Sequence, residues 1–158
     1  MNSQLITHWE GHQSYLQKIL LLATRNLRIF DGDLSKLELE KSENEFFLHR
    51  FLSSNRQNTL QIVLKDASLF QRKSPRLMKL LADYSENMKV YECPYHMSSL
   101  GDLMVLADAN HALIRFDKDH VRSKAVIDNS QECGPYMHRF EEILKEGLTP
   151  ISATTLGL

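Results

Sequence analysis

Between Asp102 and Phe116 the chain reads DLMVLADANHALIRF. Leu103, Met104, Val105 and Leu106 form one apolar run up to Asp108, and Ala112, Leu113 and Ile114 form another beyond Asn110 and His111. Two apolar runs flanking an Asp/Asn turn predict two strands joined at a tight hairpin. The runs do not alternate with polar residues, so neither face of these strands is expected to meet water. Such strands belong in the middle of a layered domain, with helices above and below.

The 158 residues suffice for one domain with a sizeable core. With 19 basic and 20 acidic residues, the net charge of −1 gives no general attraction for nucleic acid, which leaves only a local patch as a route to it. No apolar run is long enough to span a membrane. The opening MNSQLITHWEGH lacks the basic-then-apolar order of a signal peptide. Cys93 and Cys133 are therefore expected to be reduced thiols in the cytoplasm, with a disulfide between them as the lesser reading.

Leu16, Ile19, Leu20 and Ala23 repeat at helical spacing and predict an amphipathic helix over about 11–24. A short strand over 27–30 ends in the turn Asp31–Gly32–Asp33. Ser42 and Glu45 have capping-box spacing before a helix that carries Phe47, Leu48, Phe51 and Leu52. A strand is expected over 60–65. Ser74–Pro75 then opens a helix with Leu77, Leu80, Leu81 and Tyr84 on its stripe. Strands over 88–93 and 123–127 follow, with the polar loop 96–101 and the hairpin between them. Tyr136, Met137, Phe140, Ile143 and Leu144 mark a last helix, and Gly147 suits its end. The domain is set at 1–147, with 148–158 as an extended tail.

Alternating strands and helices in the first half imply parallel pairing, and the later hairpins add antiparallel strands. The expectation is one α/β domain, a mixed β-sheet with helices on both faces. A flavodoxin-like doubly wound sheet is the alternative. The absence of a helix between 102 and 128 ranks it second.

This element order, with its Asp-ended hairpin, resembles one half of a phospholipase D-type domain over most of residues 11–146. The phrases FDGDL (30–34), RQNTLQIVL (56–64), PRLMKLL (75–81), ALIRF (112–116), HRFEEIL (138–144) and TTLGL (154–158) also resemble a family of small bacterial proteins without an established activity. Phospholipase D relatives use His-x-Lys-x-x-x-x-Asp. There the histidine attacks phosphorus, the lysine binds the phosphate and the aspartate supports a histidine. With Asp108 as the motif aspartate, the histidine position is Gly101 and the lysine position is Leu103. The small Gly-Ser pair of active relatives falls on Arg115 and Phe116. The resemblance then implies a degenerate member without a nucleophile. A rival placement, His120-Val121-Arg122 before Asp128, is one residue too long. That error turns a strand side chain to the opposite face unless a bulge corrects it.

Asp31 and Asp33 follow the first strand, where open α/β sheets bind ligands. They fit either a cation or amine site or an ordinary turn. Arg115, at the end of a buried strand, needs a partner, and Asp31 or Asp33 could supply it across the sheet end. Arg72, Lys73 and Arg76 cluster at the start of the Pro75 helix, where a phosphate could bind, or form a solvated patch. Asp117, Asp119 and His120 fit a polar turn better than a metal site. No paired-cysteine, HExxH, P-loop or dinucleotide motif occurs, and neither metal nor cofactor is expected. Cys133 precedes a helix, a position that can lower a thiol pKa, but without a clear acid–base partner both cysteines are read as structural.

The preferred reading is a non-catalytic cytoplasmic protein that binds a partner or a small anionic or zwitterionic ligand through Asp31, Asp33, Arg115, Arg72 and Arg76. One alternative is a phosphodiesterase-type hydrolase using His120. Another is weak nucleic-acid binding through Arg50, Arg56, Arg72, Lys73 and Arg76. Two halves meet to build one site in active phospholipase D relatives, so the resemblance implies a homodimer through the hairpin side. The apolar tail residues Leu148, Ile151, Leu156 and Leu158 are candidates for docking on a neighbour.

Overall fold

One eight-stranded sheet runs through the whole molecule, and in this computed structural model it is described over residues 3–153. Its strands are β1 (Ser3–Ile6), β2 (Asn26–Asp31), β3 (Thr59–Leu64), β4 (Met88–Glu92), β5 (Leu103–Ala107), β6 (His111–Arg115), β7 (Ser123–Val126) and β8 (Thr149–Ile151). They lie in the order β1-β7-β6-β5-β2-β3-β4-β8. Strands β2, β3 and β4 are parallel, and every other neighbouring pair is antiparallel. The helices are α1 (Trp9–Leu22), α2 (Ser42–Ser54), α3 (Ser68–Lys73), α4 (Pro75–Asp83) and α5 (Ser130–Leu144).

The apolar hairpin is β5–β6, an interior pair whose ten residues are all buried. Side-chain alternation divides the core in two. Ile29, Ile62, Val105 and Leu113 pack with Leu16 and Ile19 of α1, Leu48 and Phe51 of α2, and Leu77 and Leu81 of α4. Phe30, Val63, Met104 and Ile114 pack on the other face with Cys133, Phe140 and Ile143 of α5. Each helix buries its own stripe on the sheet, which is what a two-faced apolar sheet requires. The mixed sheet with helices on both faces is thus the fold. The flavodoxin-like alternative fails because β5, β6 and β7 follow one another as antiparallel neighbours with no crossover helix.

Several local expectations differ from the structure. α2 starts at Ser42 with Lys41 as its N-cap and no side-chain cap, so Ser42 and Glu45 form no capping box; the Glu45 amide donates to the Lys41 carbonyl at 2.9 Å. α5 begins at Ser130, earlier than its apolar residues suggest, because the Asn129 side chain accepts the Glu132 amide at 3.0 Å. Its C-cap is Lys145, two residues before Gly147. β1 and α3 leave no periodic signal in the sequence: four and six residues are too few to show a period. Ile151 of the tail pairs with Val90 of β4, so this part of the tail lies on the chain's own sheet edge. Leu156 and Leu158 lie outside the described residues. No helix among the described residues is long and apolar enough to cross a membrane.

Candidate functional site

Because β2, β3 and β4 are parallel, their carboxyl ends open on the same side. β5 begins there and β6 ends there. A cleft of about 640 Å³ lies at these ends. Asp31, Asp33 and Lys36 enter it from β2 and the turn after it, and Lys65 and Asp66 from the end of β3. Glu92, Cys93 and Tyr95 come from β4 and its following loop, and Arg115, Lys118 and Asp119 from β6 and beyond.

The floor is an ion pair. Arg115 Nη2 donates to Asp31 Oδ1 at 3.0 Å, and the two side chains are only 3% and 2% exposed. The Leu34 amide donates to Asp31 Oδ2 at 2.9 Å. That contact holds Leu34 at φ 73°, an unusual conformation for a leucine. Burial pushes the Asp31 carboxyl up, against the opposing pull of the Arg115 guanidinium and the Leu34 amide. Arg115 Nε donates to the Asp117 carbonyl at 3.3 Å, and its guanidinium lies 5.7 Å from the centre of the Trp9 ring. Asp33 closes its own turn, with Oδ1 accepting from the Ser35 amide at 3.0 Å and the Ser35 hydroxyl at 2.7 Å.

Lys65, Lys36 and Lys118 are cleft residues that the sequence did not single out. Lys65 Nζ donates to the Leu100 carbonyl and sits over the Phe30 ring. Burial and then the neighbouring Lys118 hold its amine below the usual lysine range. No local motif marks these residues, since they meet only where separate strands end together.

Helix α1 contributes a residue beneath this floor. His12, four residues before Leu16 on the buried stripe, is 1% exposed and lies edge-on to Trp9, with ring centres 5.3 Å apart. Burial and then Arg115 hold its imidazole down, to about 4. A histidine with a depressed folded pKa stabilises the fold fully above its unfolded pKa of about 6.5, and loses that contribution as pH falls towards 4. Wild type should therefore lose about 3 kcal/mol more stability than His12→Phe between these limits, as measured by urea denaturation.

The motif positions are also placed. Gly101 is exposed, and a Cβ there would meet only the Phe116 carbonyl, at 4.0 Å. Leu103 is buried in the core. Asp108 lies at the hairpin tip, at the other end of β5, where it supports no histidine. Its carboxylate accepts the Thr24, Arg25 and Asn26 amides at 3.0, 2.8 and 3.1 Å and the Thr24 hydroxyl at 3.1 Å. Burial raises its pKa, but these bonds outweigh that and hold it below the usual carboxylate range.

His120 is 76% exposed, with Nδ1 3.1 Å from Asp117 Oδ1, and does not line the cleft. Asp128 lies beyond the other end of β7 from His120. Asp117, Asp119 and His120 form no metal-ligating group, and none occurs among the described residues.

Arg72 and Arg76 are away from the cleft. The α4 N-terminus, expected to offer amides to a phosphate, already holds a carboxylate. Glu40 accepts the Arg76 amide at 2.8 Å and the Leu77 amide at 3.1 Å, and the Arg76 guanidinium donates to the Glu40 carbonyl. Arg56 lines a groove elsewhere, beside Asn87, so the proposed basic patch does not converge on one surface pocket. Both cysteines are free and buried. Burial, and then Glu132, push the Cys133 thiol up to about 11, so its place near a helix start does not activate it.

Residues 8–150 match the family described as a domain of unknown function, DUF7931. The chain belongs to that family. Among curated proteins nothing matches the sequence. Solved structures share the fold of this DUF7931 domain at low identity. TrmBL2, an archaeal chromatin protein described as showing a novel mode of DNA binding, has a TM-score of 0.71 at 9% identity, over 96% of this chain and 54% of its own. NucT from Helicobacter pylori has a TM-score of 0.64 at 11% identity, over 94% and 98%. Phosphatidylserine synthase from Haemophilus influenzae Rd KW20 has a TM-score of 0.64 at 10% identity, over 96% and 40%. The DUF7931 chain thus spans about half of TrmBL2 and less of the synthase, but nearly all of NucT. NucT and the synthase are phospholipase D superfamily members, and the DUF7931 sheet is phospholipase D-like.

Proposed function

We propose that this domain does not cleave phosphodiesters and instead binds a small anionic or zwitterionic ligand in the strand-end cleft. The observation that carries this is the pairing of Gly101 and Leu103, where a phospholipase D-type site needs an imidazole and an ammonium, with a cleft that no histidine lines among the described residues. Without that imidazole, the phospholipase D-type attack on phosphorus has no nucleophile. The charges that remain suit recognition. Lys36, Lys65, Arg115 and Lys118 face Asp31, Asp33, Asp66, Glu92 and Asp119, a near balance that favours a ligand carrying both signs over a polyanion.

The setting is inferred to be cytoplasmic, as the two free, buried cysteines support. The assembly is inferred to be a homodimer through the hairpin side. Trp9, Tyr95, Leu100 and Phe116 expose 37, 91, 40 and 38% of their surfaces close to the cleft, which is the kind of apolar rim that a second copy covers. Gel filtration at micromolar concentration should give a dimer, and a pure monomer would remove this part of the proposal.

The hydrolysis claim is tested with bis(4-nitrophenyl) phosphate, comparing wild type and His120→Ala. Both should match the protein-free blank. Release of nitrophenolate that depends on His120 would restore the hydrolase reading.

A further inference from the structure

His12 Nδ1 is a buried nitrogen with no hydrogen-bond partner among the protein atoms of the described residues. Native proteins rarely leave such a group unpaired, because desolvating it costs free energy that nothing returns. His12 lines a void of about 10 Å³ beside the cleft floor. Asp31 and Arg115 also line this void, with Leu37, Leu103 and Leu113 completing much of the wall. That volume is on the order of one water and far too small for a phosphoryl group. Voids that stay dry are lined by apolar groups alone, whereas this one gathers three polar side chains.

We propose that this void is the seat of one ordered water shared by His12 Nδ1, the Asp31 carboxylate and the Arg115 guanidinium, and that His12 is thereby a positioning residue for Arg115. The donors and acceptors close around it. Ionised Asp31 only accepts; Oδ1 receives Arg115 Nη2 and Oδ2 the Leu34 amide, and each oxygen keeps a further lone pair. Arg115 uses one Nη2 hydrogen on Asp31 and Nε on the Asp117 carbonyl, which leaves three hydrogens, two on Nη1 and the second on Nη2. The water accepts from Arg115 and donates one hydrogen to Asp31 and the other to His12 Nδ1. Nδ1 is then an acceptor, so the His12 proton resides on Nε2. Arg115 is held by its carboxylate partner, by the Trp9 ring at 5.7 Å and by this water. The arrangement presents a fixed guanidinium to the cleft, and it holds whatever the cleft binds.

A high-resolution crystal structure of the full chain tests this, together with the ¹⁵N resonances of His12. The expected result is a density peak within hydrogen-bond distance of all three groups and the Nε2–H tautomer. His12→Gln should keep the peak and His12→Phe should lose it. A dry void in wild type, or a protein group found on Nδ1, overturns the proposal. Because these two observations are made on wild type, the test stands even if a variant fails to fold.

Discussion

Replacing Arg115 with alanine is expected to destabilise the fold by about 3–5 kcal/mol in urea denaturation. The loss comes less from the attraction removed than from what stays behind. Asp31 is 2% exposed, and without the guanidinium its carboxylate remains in the core with the Leu34 amide as its one remaining protein donor among the described residues. For a domain whose total stability is about 5–15 kcal/mol, that loss approaches the threshold of unfolding. Asp31→Asn combined with Arg115→Met should recover to within about 2 kcal/mol of wild type, because no isolated charge is then buried. If the single and double variants were equally damaged, packing rather than charge would be the cause. A loss below about 1 kcal/mol in Arg115→Ala would mean that the pair is open to bulk solvent and not a floor.

Asp108→Ala should cost about 2–3 kcal/mol, although the residue is half-exposed and far from the cleft. It removes the one acceptor shared by three amides at the start of β2 and places alanine at φ 55°. Asp108→Asn should lose about 1 kcal/mol, since asparagine keeps an acceptor and tolerates this backbone. The Asp108 pKa is depressed in the fold, so its stabilisation is present above the unfolded value of about 3.9 and disappears as pH falls through the folded value. The deficit of Asp108→Asn should therefore shrink below about pH 4, as read by denaturation at several pH values. Full wild-type stability in Asp108→Ala would contradict a structural Asp108.

The residues that sequence reasoning placed well are those whose surroundings are set locally. Leu103–Leu106 and Ala112–Ile114 announce a two-faced buried hairpin because no polar residue interrupts them. Asp31 and Arg115 could be paired across the sheet end because each closes an apolar strand. Edges were harder to see. β1 and the tail strand β8 are held by backbone hydrogen bonds to one neighbour, and their side chains follow no clear pattern. Arg72 and Arg76 lie outside the cleft, and Glu40, distant in sequence, accepts two amides of α4, which no local spacing announces. Lys65, Lys118 and Glu92 join the cleft only through the strand order, which spacing along the chain does not encode. His12 did leave a signal, its position four residues before Leu16. A histidine on an apolar stripe says that it is buried, but not what it faces.

An NMR titration with glycerophosphocholine, a small zwitterionic phosphodiester, tests binding without cleavage in one sample. Backbone amides around Asp31–Lys36, Lys65–Asp66 and Arg115–Asp119 should shift saturably while the ³¹P resonance of the diester stays unconsumed. A growing phosphomonoester resonance, or shifts confined to residues outside the cleft, would contradict the account.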